Sequence, residues 1–473
     1  MDNSLSSPSA HQAVVIGASL TGLLAASVLA DHADKVIIVE SDGLPAGPAP
    51  RRGMPQARHA HILLSGGARA MESLLPGIQT SWVAQGARRM SVPTDLVALT
   101  PHGWLRREPE MQYQIVGSRD LLDSVTRQRV LAHPRITTLP HRQAVGLLGD
   151  RQKVHGLQIR NPDGSLDHLT AALVVDASGR RSHTPTWLTD IGLPRVQEEV
   201  VDPGLVYATR LFRAPAGGEQ FPIVNVQADP AVPAPGRTAT LIAIENGQWL
   251  VTLSGTRGGE PTSDPEQFES FARMTRHPLV ADLIARAEPL SKVYVTRTCT
   301  NTWRHYERLP TWPTGLVVLG DAVAAYNPVY GQGMTVAAGS AAALRGILRR
   351  HGLNHPHLAR RVQLAVSRVA QGPWAITTGE DIRFPGVAGR SPTRIAKAMH
   401  AYVDRLAHTA TGRSSTCRAL FDVMTLSTPL TRLFSPSIVL GALFGPRKPP
   451  LTEPPLSEGE RAIGGLQRAM PAP

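Results

Sequence analysis

The eighteen residues from Ala13 to Ala30 carry no charge, and they constrain this chain more than any other stretch. A run of that length is either a membrane-spanning helix or an apolar strand, a turn and a helix laid end to end. Local chemistry separates the two. Val14, Val15 and Ile16 are β-branched and favour a strand, Gly17-Ala18-Ser19-Leu20-Thr21-Gly22 reads as a turn, and Leu23 to Leu29 is a short helix ending before Asp31. The run is therefore read as strand, turn and helix.

That turn is a G-x-G-x-x-G pattern with Ser19 at the second glycine. The first glycine makes the tight turn, a small middle residue lets backbone approach a pyrophosphate, and the last lets helix pack on strand. Serine narrows the approach. A second strand, Lys35 to Val39, ends in Glu40, eighteen residues after Gly22. A carboxylate there accepts ribose hydroxyls and favours an adenosine ribose without a phosphate, as in FAD or NAD.

Two further strands run into polar turns. Leu316 to Leu319 feeds Gly320-Asp321 and then the turn through Gly331-Gln332-Gly333-Met334, after which Thr335 to Arg350 is helical. Asp321 sits at a strand's carboxyl end, and the following helix start offers N–H groups to an anion or polar ring. Leu169 to Val175 runs into Asp176-Ala177-Ser178-Gly179-Arg180-Arg181-Ser182, either a phosphate-side loop or a helix capped by Asp176. Gly117-Ser118-Arg119 opens an amphipathic helix with Ser118 as N-cap. Arg119 in that first turn either faces an anionic partner or is a solvated surface residue. Between Ala46 and Pro55 the chain is rich in proline and arginine, with Arg51 or Arg52 able to contribute charge near phosphate. Gln56, His59 and His61 then lead into a helix-like run from Ile62 to Leu75. Histidines two apart do not share a helix face, so they suit a flavin or phosphate site, or plain capping, better than a metal.

A chain of 473 residues suggests two or three lobes. The expected architecture is α/β. A Rossmann-like FAD-binding domain would be assembled from 12–80, 111–200 and 300–350, and a mostly antiparallel β-sheet substrate domain from 81–110 and 201–299. A helical C-terminal region would occupy 351–444, with disordered tails at 1–11 and 445–473. The apolar run Ile438 to Phe444 is too short to span a bilayer. Two cysteines, Cys299 and Cys417, fit neither a metal site nor a disulfide framework and suit a reducing compartment. No secretory signal is evident near the start, so a cytoplasmic location is expected. The net charge of +12 comes from scattered arginines and fits solvated surface or a bound pyrophosphate. No nucleic-acid signature accompanies it.

Taken in order, Gly17 to Gly22 with Glu40, Asp176 to Ser182, and Gly320-Asp321 through Gly333 resemble the para-hydroxybenzoate hydroxylase type of FAD-dependent monooxygenase. Met54-Pro55-Gln56 with His59 and His61, Asn327-Pro328-Val329-Tyr330-Gly331-Gln332-Gly333-Met334, and Trp374 with Glu380-Asp381 and Phe384-Pro385 are similar to the flavin-dependent epoxidases of polyether ionophore biosynthesis, the lasalocid and monensin type. The resemblance implies that Glu40 binds the adenosine ribose, Arg119 the pyrophosphate region and Asp321 the ribityl chain. Gly331 to Met334 would face the pyrimidine edge, with Asp176 and Gly179 at the FAD and NADPH contact region. Pro328, flanked by Asn327 and Tyr326, would lie beside the flavin carbon that takes up oxygen. Further implications are a flavin C4a-hydroperoxide that epoxidises an apolar polyene or polyketide, free or carrier-bound. Electrons would come from NADPH or NADH, directly or through a flavin reductase. An aromatic hydroxylase shares every FAD motif, a prenyl-chain reductase has a similar fold but saturates alkenes, and a flavoprotein that escorts prenyl lipids without turnover is the rival from a different class. A flavin halogenase would need a Trp-x-Trp-x-Ile-Pro motif that neither Trp249 nor Trp374 belongs to.

Overall fold

The computed structural model of the chain describes residues 11–466 apart from Thr298 and Arg390. Its first lobe is built on a five-stranded parallel sheet in the spatial order Leu316–Val318, Leu173–Asp176, Gln12–Ile16, Lys35–Val39 and Ile136–Leu139. The register aligns Ile16 with both Val39 and Asp176, and Asp176 with Val318. Three separate turns therefore leave the sheet at one edge, the carboxyl end at which open α/β sheets bind ligands. The helix Leu20–Ala30 is buried almost entirely, which explains its lack of charge. Gly22 has to be glycine, since a Cβ there would stand 1.9 Å from the Gly17 carbonyl oxygen. At Gly17, φ is +96° and a Cβ would meet the Ala177 carbonyl oxygen at 2.8 Å.

The second lobe is a seven-stranded sheet ordered Tyr294–Thr296, Val206–Arg213, Gln248–Gly255, Arg237–Ile244, Ile223–Val226, Leu96–Thr100 and Gly103–Trp104. It is antiparallel except where Ile223–Val226 lies parallel to Leu96–Thr100. One face packs under the helices Gln267–Arg273 and Leu279–Ile284 through Ala208, Phe212, Val251 and Leu253. The opposite face turns toward the first lobe. Long helices follow, Gly333–His351 and Leu358–Asp381, and then Arg394–Ala410, Ser414–Met424 and Pro436–Phe444. Among the described residues, no helix is long and apolar enough to cross a membrane.

Two expectations need correction. The run from Ile62 is not helical from its start: Ile62–Leu64 is a strand paired with Gln112–Val116, and the helix occupies Ser65–Leu74. Adjacent branched and apolar residues satisfy a sheet edge before the glycine-containing helix begins. The second concerns the C-terminal tail, of which 467–473 lies outside the described residues, as does 1–10 of the N-terminal one. Residues 445–466 are ordered, because Leu451, Leu456, Ile463 and Leu466 pack on the second-lobe core. The helix Glu458–Ile463 carries a capping box from Ser457 and Glu460. Proline there supports an extended strap rather than disorder.

Candidate functional site

Glu40 is anchored at the edge of the parallel sheet. Its Oε2 accepts from the Ala18 N–H at 2.7 Å and pairs with Arg51 Nη2 at 2.6 Å, while Oε1 accepts from the Asp42 N–H at 2.9 Å. Arg51 also reaches the Ala18 carbonyl and Asp123, which is itself paired with Arg127 at 2.8 Å. Of the two arginines named from the sequence, Arg52 is exposed and Arg51 is the buried cation of this turn. A ribose hydroxyl would reach Glu40 by displacing Arg51 or the weaker Ser41 contact at 3.2 Å.

Asp321 is in the opposite condition. Its carboxylate is partly buried and accepts no hydrogen bond among the described residues. Burial raises its pKa, and the positive charges of Arg180, Arg119 and Arg304 oppose that rise. Arg119 likewise donates no hydrogen bond; burial lowers its pKa against the pull of Asp123 and Asp321. An unsatisfied carboxylate in such a place costs stability unless a ligand donates to it. The helix Gly333–His351 begins beside it without a side-chain cap, and so does the helix after Ser19. Both therefore present free first-turn N–H groups. Gln332 Nε2, Thr335 Oγ1 and Arg51 Nε are buried without partners. Met334 lines a narrow cleft with Leu20, Leu63, Arg119 and Asp123. These groups fit FAD: hydroxyl donors for Asp321, an anion for two helix starts, a ribose for Glu40.

Asp176 does not face that cleft. It is fully buried and accepts from the Ser178 N–H at 2.8 Å and from the hydroxyls of Ser178, Ser182 and Thr184. Its lone pairs are occupied by its own loop, which it clamps in this structure. Gly179 ends this clamp with φ +80°, and Gly320 turns at φ +59° against Thr21.

The Asn327–Tyr330 turn is held from behind by Asp381, at the end of the long helix. Asn327 Nδ2 donates to Asp381 Oδ2 at 3.0 Å, Asn301 Nδ2 donates to it at 2.6 Å, and the Tyr330 hydroxyl donates to Oδ1 at 2.9 Å. Burial raises the Asp381 pKa, while the bonds from Asn327, Asn301 and Tyr330 lower it. Asn327 Oδ1 accepts from the Tyr207 hydroxyl at 3.0 Å and from the Val329 N–H at 3.0 Å. Pro328 is thereby left exposed at the tip, and Gly331 closes the turn in the left-handed region at φ +66°. Tyr326 points away, its hydroxyl toward the Ala370 carbonyl at 3.3 Å. Arg180 braces this turn through the Tyr326 carbonyl at 2.8 Å.

His59 reaches the second-lobe sheet. Its ring nitrogens lie 2.7 Å from Thr209 Oγ1 and 2.7 Å from Thr296 Oγ1, and burial pushes its pKa down to about 4. His61 donates from Nδ1 to the His59 carbonyl at 2.8 Å. Burial, then the charge on Arg119, lowers its pKa to about 3. Both rings are neutral at pH 7. Gln56 is exposed on the short turn Pro55–Arg58, and its side chain makes no hydrogen bond among the described residues. Sequence reasoning missed Asn301, Tyr207, Thr209 and Asp123 as site residues, and named Asp381 only as part of the epoxidase resemblance, without a role. Their partners lie far away in sequence, where no spacing signal reaches.

Residues 12–181 match the FAD dependent oxidoreductase family. Protein Rv3254 of Mycobacterium tuberculosis (strain ATCC 25618 / H37Rv) is 32% identical over 405 residues, 81% of this chain and 82% of that protein. Kynurenine 3-monooxygenase of Salinispora arenicola (strain CNS-205) is 28% identical over 351 residues, 69% of this chain and 70% of that enzyme. Among solved structures, the flavin-dependent brominase Bmp2 superposes with a TM-score of 0.62 at 13% identity, over 92% of this chain and 98% of that one. Its likeness establishes the fold alone. The dinucleotide turn thus lies in a segment that matches the FAD dependent oxidoreductase family, the chain is a relative of Protein Rv3254 over four-fifths of its length, and its fold is one that the flavin-dependent brominase Bmp2 shares.

Proposed function

We propose that the chain is an FAD-dependent monooxygenase that epoxidises alkenes of an apolar polyene or polyketide, as in polyether-type natural-product biosynthesis. One observation carries the substrate side of this reading. On three adjacent strands of the second-lobe sheet, the largely buried face that meets His59 and Asn327 carries Tyr207, Thr209 and Leu211, then Leu250, Thr252 and Ser254, then Thr238, Thr240 and Ile242. None of these nine carries a charge at pH 7, since burial raises the Tyr207 pKa further. Nothing among them can neutralise a substrate carboxylate, so a neutral, mostly apolar molecule suits the face.

Reduced FAD, with electrons from NADPH or NADH directly or through a flavin reductase, supplies activated oxygen from O2. The chain's own residues bind and orient. Glu40 and the two helix starts hold the adenosine and pyrophosphate ends, Asp321 accepts from the ribityl hydroxyls, and Asp381 fixes the turn bearing Pro328. No side chain has to act as nucleophile or base. The sheet face and the neutral His59 keep the space free of ions and bulk water, which protects a reactive oxygen donor.

The named activity of the Salinispora relative favours aromatic hydroxylation as a second reading. Incubating the FAD-loaded, chemically reduced protein with a panel of polyenes under isotopically labelled O2 tests the proposal. An epoxide carrying one labelled oxygen supports it. A hydroxylated arene from an aromatic panel with no polyene product selects the second reading, and saturation of the alkene without oxygen rejects both.

A further inference from the structure

The helix Pro436–Phe444, Pro-Ser-Ile-Val-Leu-Gly-Ala-Leu-Phe, has no charged residue on any side. A helix apolar all round belongs in a core. This one is buried on one side only. Ile438, Gly441 and Ala442 pack inward, whereas Leu440, Leu443 and Phe444 are 53%, 69% and 77% exposed. The neighbouring helix Arg394–Ala410 continues the surface, with Ile395 80% and Met399 42% exposed. These two stand one turn apart on the row that leads to Tyr402. The Tyr402 ring stacks on the exposed Phe434 at 5.3 Å, and its hydroxyl donates to the Leu433 carbonyl at 2.6 Å. One turn on, Arg405 donates to the carbonyls of Ala442 and Leu443 at 2.7 and 3.0 Å and ties the helices side by side.

Charge around this face has one sign. Arg394, Lys397, Arg405 and Arg447 are exposed. The single acid of the helix Arg394–Ala410, Asp404, is paired with Arg383 at 2.9 Å.

We propose that this face docks reversibly on an anionic lipid bilayer. Leu440, Leu443, Phe444, Ile395 and Met399 enter the acyl boundary, and Arg394, Lys397 and Arg447 lie among the headgroups. Apolar side chains that project this far into solvent, ringed by cations, match interfacial insertion. The contact is peripheral, and it goes beyond the reaction proposed above and does not depend on it.

The test is co-sedimentation of the FAD-loaded full chain with vesicles of phosphatidylglycerol or of phosphatidylcholine. Binding is expected to phosphatidylglycerol alone. It should fall about tenfold or more in Leu443→Ser/Phe444→Ser, in Arg394→Gln/Lys397→Gln, and at high salt. Because the substituted side chains are exposed, flavin absorbance and the thermal midpoint should match the wild type, which separates lost docking from lost folding. A wild-type protein that stays in the supernatant, or variants that bind as well as wild type, would overturn the proposal. So would a solution dimer, seen by light scattering, that Leu443→Ser/Phe444→Ser dissolves, because the face would then belong to a second copy.

Discussion

Desolvation raises the Asp321 pKa above its ordinary 3.8, so the native FAD-free protein binds that proton more tightly than the unfolded chain does. Its contribution to stability is complete below the ordinary value and is lost as pH rises through the raised one. The expected outcome is that FAD-free Asp321→Asn melts higher than wild type near neutral pH, with the gap closing as pH falls toward about 4. Thermal midpoints across that range check it, and an equal gap at every pH would sink it. Asp381 behaves differently, because three donors depend on it. Asp381→Ala strands the side chains of Asn301, Asn327 and Tyr330 and is expected to lower stability by about 3 kcal/mol in urea unfolding. At this scale Glu40 was singled out by its distance to Gly22, and Asp321 by its place after an apolar strand. Arg51 was not separable from Arg52, since only the folded turn shows which neighbour points inward. Asp176 looked like Asp321 in sequence, because the hydroxyls that consume it follow at ordinary loop spacing.

Elements were readable where periodicity or a glycine forced them. The strand-turn-helix at Gly17 to Gly22 leaves no room for a side chain at Gly22, so Gly22→Ala is expected to cost about 3 kcal/mol or more by overpacking. A soluble variant with an unchanged urea midpoint would contradict this. The mostly antiparallel sheet of the second lobe was likewise announced by alternation. The run from Ile62 was not, because three apolar residues suit a strand and a helix equally, and only the partner strand Gln112–Val116 decides.

For the whole molecule, two lobes and a helical region were visible in the alternation of patterns, but the long-range contacts that join them were not. Asp381 meets Asn301 and Asn327 across 80 and 54 residues of chain, which only tertiary structure can bring about. The C-terminal strap misled for a related reason: proline and charge suggest disorder, while the few apolar residues that dock it are too sparse to form a pattern. Leu451, Leu456 and Ile463 seal the second-lobe core, and Arg107 pairs with Glu460. Truncation after Pro450 is therefore expected to lower stability by about 3 kcal/mol and to expose dye-binding apolar surface. Unchanged melting of the truncated chain would show the strap to be ornamental.

The most direct test of this account is a fluorescence titration of the FAD-free protein with FAD, beside Glu40→Ala and Asp321→Ala. Wild type should quench the flavin at one equivalent. Each variant should bind more weakly by about 1.5–3 kcal/mol, roughly tenfold to a hundredfold, for a lost hydrogen-bonded carboxylate. Equal affinity in wild type and both variants would contradict the placement of FAD between these two residues.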